Sequence, residues 1–154
     1  MNAQPRDLPA QCQIRPARDR DMWAIRILVL CALLDPTQLH WQNFIAIECE
    51  GKIVACGQLR RFSGSQELGS MVVARSWRDR GLGSALVKAL IRQSSEPLYL
   101  ECMGWLVEFY RKFGFVEVPW ESLPKPLKTK FAVGQLGSKV LPLGVTIMQY
   151  QPLP

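Results

Sequence analysis

One segment limits the folds open to this chain more than any other. Met71-Val72-Val73-Ala74 is a short apolar strand, Arg78-Asp79-Arg80-Gly81-Leu82-Gly83 is a turn, and Leu82, Ala85, Leu86, Ala89 and Leu90 then recur on one helical face. Glycines at the mouth of a helix present backbone N–H groups with no Cβ in the way. Those first N–H groups have no partner inside the helix, and the helix dipole favours an anion beside them. Arg78 and Arg80 can add charge-assisted hydrogen bonds to the same ligand. The turn suits a phosphate.

Two nucleotide-binding turns are excluded. A Walker loop ends in Gly-Lys followed by Ser or Thr, whereas Gly83 is followed by Ser84 and Ala85. A dinucleotide fingerprint needs a third glycine, and Leu86 stands where it would fall. The charge is concentrated at the same place. Residues 75–92 hold five basic residues and one acidic residue, so +4 of the net +6 lies there. A duplex binder spreads its basic residues over a long face or an arm. The local surplus fits a small polyanion, and no nucleic-acid partner is expected.

The remaining periodicities describe one domain, as a length of 154 residues suggests. Residues 1–11 read as a flexible N-terminus. Cys12 to Ala17 alternates like a strand, and Met22, Ile25, Leu28, Val29 and Ala32 follow helical spacing up to Asp35-Pro36. Phe44–Ile47 and Ile53–Cys56 flank the turn Glu50-Gly51-Lys52, an antiparallel hairpin. Ser63-Gly64 turns into a strand at Leu68–Ala74. After the helix that follows Gly81 come a strand at Leu98–Cys102, a helix over Met103–Lys112 capped by Gly114, and a strand at Phe115–Val118. Residues 119–143 read as an irregular excursion with a short helix at Thr129–Leu136, before a last strand at Val145–Tyr150. The expected class is α/β (α+β), a mixed, mostly antiparallel sheet of about seven strands with flanking helices.

Five cysteines at wide spacing, with no Cys-x-x-Cys pair and one histidine, His40, predict reduced thiols and no metal site. The longest apolar run, Ile27–Leu34, is too short to span a bilayer, and Met1–Gln13 lacks a secretory pattern. A soluble, cytoplasmic protein without a membrane partner is expected.

Arg78-Asp79-Arg80-Gly81-Leu82-Gly83 resembles the Arg/Gln-x-x-Gly-x-Gly/Ala motif of the GCN5-related N-acetyltransferases (GNAT). Phe109-Tyr110-Arg111-Lys112-Phe113-Gly114-Phe115 resembles the same family's aromatic-Tyr-x-x-x-Gly-Phe signature. The resemblance covers Ile14 to Val118 and implies a sheet whose central strands splay around acetyl-coenzyme A. It implies that the backbone of Met71, Val72 and Val73 pairs with the pantetheine arm, and that Arg78, Asp79, Arg80, Gly81, Leu82, Gly83 and Ser84 hold the pyrophosphate. Met103 departs from the pattern, because the family often has an asparagine there that touches the cofactor.

Acetyl transfer to an amine requires a neutral amine, a polarised carbonyl and a proton for the leaving thiolate. An amine with a pKa near ~10.4 is almost wholly protonated at neutral pH. A carboxylate can take its proton directly or through water. The resemblance offers two. Glu67 lies eleven residues before Arg78, in the register of the histone-acetylating branch, and Glu101 ends the strand where other branches place theirs. Tyr110 is the candidate general acid. His40 and Trp41 fall in a segment that often borders the acceptor site. The implied activity is transfer of acetyl from acetyl-coenzyme A to a primary amine, on a small molecule or a protein, in a ternary complex without an acyl-cysteine. The alternative is a non-catalytic coenzyme A sensor or interaction module on the same fold. A homodimer is compatible with either.

Overall fold

The structure, a computed structural model, describes residues 8–140 and 144–154, and for 133–140 the backbone alone. Seven strands form one sheet: β1 (Cys12–Pro16), β2 (Phe44–Cys49), β3 (Lys52–Phe62), β4 (Ser65–Val73), β5 (Leu98–Met103), β6 (Phe115–Glu117) and β7 (Val145–Tyr150). Four helices accompany them: α1 (Met22–Cys31), α2 (Leu82–Gln93), α3 (Val107–Arg111) and α4 (Lys125–Val140). The strand order is β1-β2-β3-β4-β5-β7-β6. β4 and β5 run parallel, while β1–β2, β2–β3, β5–β7 and β6–β7 are antiparallel. The β4–β5 ladder is two pairs long, Gln66 with Leu98 and Glu67 with Tyr99. β4 then runs on through Leu68–Val73 beyond that ladder.

The contacts fall into two units. The first is Met1–Leu59 with Gly69–Gln93. Its β2–β3 turn has positive φ at both Glu50 and Gly51, 52° and 77°, which gives a hairpin the twist its strands require. Ala17, Met22, Ile25 and Val29 pack with Phe44, Ala46, Cys56 and Val72. In α2, Leu82, Ala85, Leu86, Val87, Ala89 and Leu90 are buried, so one stripe of the helix is anchored. Gly57 has no room for a side chain: a Cβ there would lie 2.5 Å from Met71 Sδ and 2.9 Å from Leu90 Cδ1. α1 ends where Leu33 takes the left-handed conformation, with its N–H on Leu30 O at 3.0 Å and that of Leu34 on Val29 O at 3.1 Å.

The second unit is Arg60–Leu68 with Ser94–Pro154. Tyr99 and Ile147 pack under Leu123, Leu127 and Phe131, with Phe62, Val118 and Trp120 alongside. α4 therefore lies on the sheet face that carries Tyr99 and Ile147.

Three expectations are corrected. Cys12 and Cys49 are not free thiols but a disulfide, because they are direct cross-strand partners with Cα atoms 4.1 Å apart. Residues 119–143 are not an irregular excursion, since 125–140 form one helix. Its prolines are tolerated because Pro124 and Pro126 sit at its start, where Leu127 and Lys128 N–H both reach Pro124 O, at 3.0 and 3.1 Å. The helix expected over 103–112 is shorter. Met103 still pairs with Val145, and a 3-10 turn at Gly104–Leu106 precedes α3. Gly114, at φ 95°, caps the end of α3 as expected. Much of the expected flexible N-terminus, 1–7, lies outside the described residues.

Candidate functional site

The glycine turn is built by the first unit alone. β4 ends at Val73, a 3-10 turn spans Arg75–Trp77, and Arg78 Nε donates back to Val73 O at 3.2 Å. Asp79 and Gly81 both take positive φ, 60° and 79°, on either side of Arg80. Glycine suits the second position because left-handed backbone costs a side-chain-bearing residue about 1–2 kcal/mol. Gly81 O accepts the α-helical bond of Ala85 N–H at 3.0 Å. The N–H groups of Leu82, Gly83 and Ser84 therefore have no acceptor inside α2. The side chain of Leu82 is buried and pins this end of the helix.

The arginines are exposed, and the Arg80 guanidinium lies over the Trp77 ring, 4.8 Å from its centre. That contact holds Arg80 beside the turn while leaving its N–H groups at the rim of the stack. Backbone N–H groups without a helical acceptor, positive charge and a helix N-terminus thus coincide within residues 78–84. Upstream, Ser70 breaks the pleat of β4 with φ 49°, and Gln58 Nε2 bonds its Oγ at 2.8 Å. Met71, Val72 and Val73 follow directly after this bulge.

The three candidates for proton chemistry belong to the second unit. Glu67 is 6% exposed, and Arg60 Nη1 lies 3.1 Å and 3.2 Å from its two oxygens. Glu67 pairs with Tyr99, and Glu101 pairs with Ile147 and lies two residues along from Tyr99. Both glutamates therefore share the sheet face that α4 covers. Tyr110 is 6% exposed and packs edge-on against Phe109 and Phe115. Burial, with Cys102 as a second influence, holds its hydroxyl well above the usual phenol range. Tyr110 therefore keeps its proton at neutral pH.

The Cys102 thiol is pushed up to about 11, first by burial and then by Glu117 and Glu101, and burial pushes the Cys56 thiol up to about 12. Both remain protonated, which makes poor nucleophiles. His40 and Trp41 lie exposed ahead of β2, in the first unit. No metal-holding group of three or more His, Cys, Asp or Glu residues forms among the described residues.

Two supporting residues were not singled out from the sequence. Arg60 is buried against Glu67, and alternation along β3 alone does not reveal a buried cation. Gln66, 1% exposed, accepts the N–H groups of Ser95 and Glu96 at 2.8 and 3.0 Å and donates its own backbone N–H to Pro97 O at 2.9 Å. It fixes the start of β5 beside Glu67. A glutamine after a Ser-Gly-Ser turn carries no recognisable signal for that role.

The sequence model described as an acetyltransferase (GNAT) domain matches residues 40–117. No curated protein matches the chain. Among solved structures, the chain resembles N-acetylglutamate synthase from Neisseria gonorrhoeae complexed with coenzyme A and N-acetyl-glutamate. The TM-score is 0.78 at 18% identity, over 95% of this chain and 36% of that one. It also resembles Rv2747 from Mycobacterium tuberculosis in complex with CoA and NLQ, at TM-score 0.73 and 24% identity, over 92% and 99% of the two chains. Arabidopsis thaliana Naa50, in complex with the bisubstrate analogue CoA-Ac-MVNAL, gives 0.63 at 16% identity, over 92% and 99%. The chain spans little more than a third of the length of the Neisseria enzyme, and at these identities the likeness is one of fold.

Proposed function

Because the chain belongs to the GNAT acetyltransferase family, we propose that it moves the acetyl group of acetyl-coenzyme A to a primary amine by direct attack. The observation that carries this reading is the turn at 78–84, where left-handed Asp79 and Gly81 open the N-terminus of α2 between two arginines. Backbone N–H groups of Leu82, Gly83 and Ser84, with Arg78 and Arg80, would hold the pyrophosphate. The backbone of Met71–Val73, beyond the β4–β5 ladder, would take the pantetheine amides as a strand takes a neighbour.

In the transfer, the amine nitrogen bonds the acetyl carbon and the C–S bond breaks. The amine gives up a proton and the leaving sulfur is met by one. Tyr110 serves the sulfur as donor, since its proton stays in place across neutral pH. We assign the amine's proton to Glu101 rather than Glu67, because a carboxylate holding a buried guanidinium gains little by protonation. Glu67 then acts with Arg60 to position this face. The protonated Cys56 and Cys102 support a route without an acyl-cysteine.

α4 covers the face of Glu67 and Glu101, so Leu123, Leu127 and Phe131 seat the element that would wall the acceptor side. The acetylated amino acid and the bisubstrate analogue held by two structural neighbours make α-amines the first acceptors to screen. The test is thiol release from acetyl-coenzyme A over amino acids, peptide N-termini, polyamines and lysine analogues, with calorimetry for the cofactor. Turnover on one class supports the proposal. Tight cofactor binding with no turnover on any amine would mean a coenzyme A sensor instead.

A further inference from the structure

The connector from α2 to β5 is Ser94-Ser95-Glu96-Pro97, exposed from 95 to 97 and without an apolar anchor of its own. Hydrogen bonds therefore decide where it sits. Gln66 makes them. Its side chain is buried, and its Oε1 accepts both successive N–H groups, that of Ser95 at 2.8 Å and that of Glu96 at 3.0 Å. Its backbone N–H adds a third bond, to Pro97 O at 2.9 Å. We propose that Gln66 is a positioning residue of the transfer, which seats β5 on β4 and thereby places Glu101. The proposal rests on the assignment of the amine's proton to Glu101.

Three features give this contact its reach. The β4–β5 ladder is two pairs long, and Gln66 with Leu98 is the first of them. The side chain of Gln66 thus reinforces β5 at the place where it joins β4. β7 pairs with β5 over five positions and β6 pairs with β7, so these strands are fastened to β5 and not to β4. A shift at the start of β5 is therefore carried along the strand, and Glu101 stands on it three residues beyond Leu98. Misplacing a reacting group by about 1 Å costs up to about 100-fold in rate. Strand alternation turns Gln66 to the face opposite Glu67 and Glu101, so it acts through β5 rather than on the substrate. An acceptor is all that the two N–H groups require.

The test compares Gln66→Met, which keeps the length and loses the acceptor, with Gln66→Glu, which keeps both. With an amine that the wild type acetylates, kcat should fall about 10- to 100-fold in Gln66→Met. Gln66→Glu should restore it. Coenzyme A affinity by calorimetry should stay at the wild-type value in both, because residues 71–73 and 78–84 belong to the other unit. Gln66→Asn draws the carbonyl back by about 1.5 Å, and it should show the same split if Gln66→Met does not fold. Turnover and coenzyme A affinity that fall in parallel would overturn the proposal. So would a loss that Gln66→Glu does not restore, or a kcat that stays unchanged without the acceptor. If the wild type acetylates no amine, the transfer reading fails, and hydrogen exchange decides the seating of β5 by itself. Protection lost in Gln66→Met from Ser95 through Cys102, and kept in Gln66→Glu, supports that seating. A loss confined to Ser95 and Glu96 overturns it.

Discussion

Arg60 Nη1 lies within 3.2 Å of both carboxylate oxygens of Glu67, and the two side chains are only 6% and 7% exposed. The glutamate in the register of a general base is thus already committed to a buried cation. Removing one member of a buried ion pair costs more than removing both. Arg60→Met should cost about 3–5 kcal/mol by urea denaturation, and Arg60→Met with Glu67→Met should recover most of the loss. Equal loss in the single and double variants would show that the pair is not coupled.

The two glutamates separate by pH profile. Glu101→Gln should lower kcat about 100-fold and remove the acidic limb of the rate profile. Glu67→Gln should lower thermal stability and alter the apparent KM, yet keep that limb. A limb lost in Glu67→Gln alone would return the base to Glu67.

Tyr110→Phe keeps the ring packed against Phe109 and Phe115 and removes only the hydroxyl. Turnover should fall about 10- to 100-fold with cofactor affinity unchanged by calorimetry. Because the hydroxyl titrates above its ordinary value of 10, no basic limb from this group should appear below pH 10. A limb near pH 8 that vanishes in Tyr110→Phe would contradict the raised hydroxyl.

Gly81 sits at φ 79° beside the free N–H groups of α2. Gly81→Ala should cost about 1–2 kcal/mol of stability. Gly81→Asp should also repel the pyrophosphate and weaken coenzyme A binding at least about 100-fold. Unchanged affinity in Gly81→Asp would remove the phosphate assignment.

Asp21 accepts Arg15 Nη1 at 2.7 Å, and that bond, ahead of the backbone N–H of Arg18, holds its carboxyl below the ordinary 3.8. A folded-state value below the unfolded one contributes stability above the unfolded value and loses it as pH falls through the folded one. Asp21→Asn should therefore unfold more readily at pH 7, while the two stability curves converge in acid. Parallel curves down to low pH would leave Asp21 without this contribution.

The glycine turn was legible because it is local. Arg78 to Gly83 is contiguous, and its glycine, helix start and charges are read from neighbours in sequence. Strands β2, β3 and β7 and helix α2 were legible for the same reason, as alternation and helical spacing are local patterns. What escaped depends on distant partners. Arg60 is buried because Glu67 returns beside it across the hairpin, and Cys12 meets Cys49 only through the β1–β2 register. The prolines at 124 and 126 suggested irregular chain. Their meaning changed once they fell in the first turn of α4. Met103 kept its strand because Val145, more than forty residues on, pairs with it.

The Cys12–Cys49 bond joins the outermost strand to its neighbour at one end of their ladder. An edge strand held only by hydrogen bonds can peel, slip by a residue or be exchanged with another molecule. A covalent rung makes the pairing of β1 a property of the individual chain. Oxidised protein cannot trade this strand between copies. Reduction hands the edge back to mass action, so the thiol state governs whether β1 is a fixed hem or a detachable one.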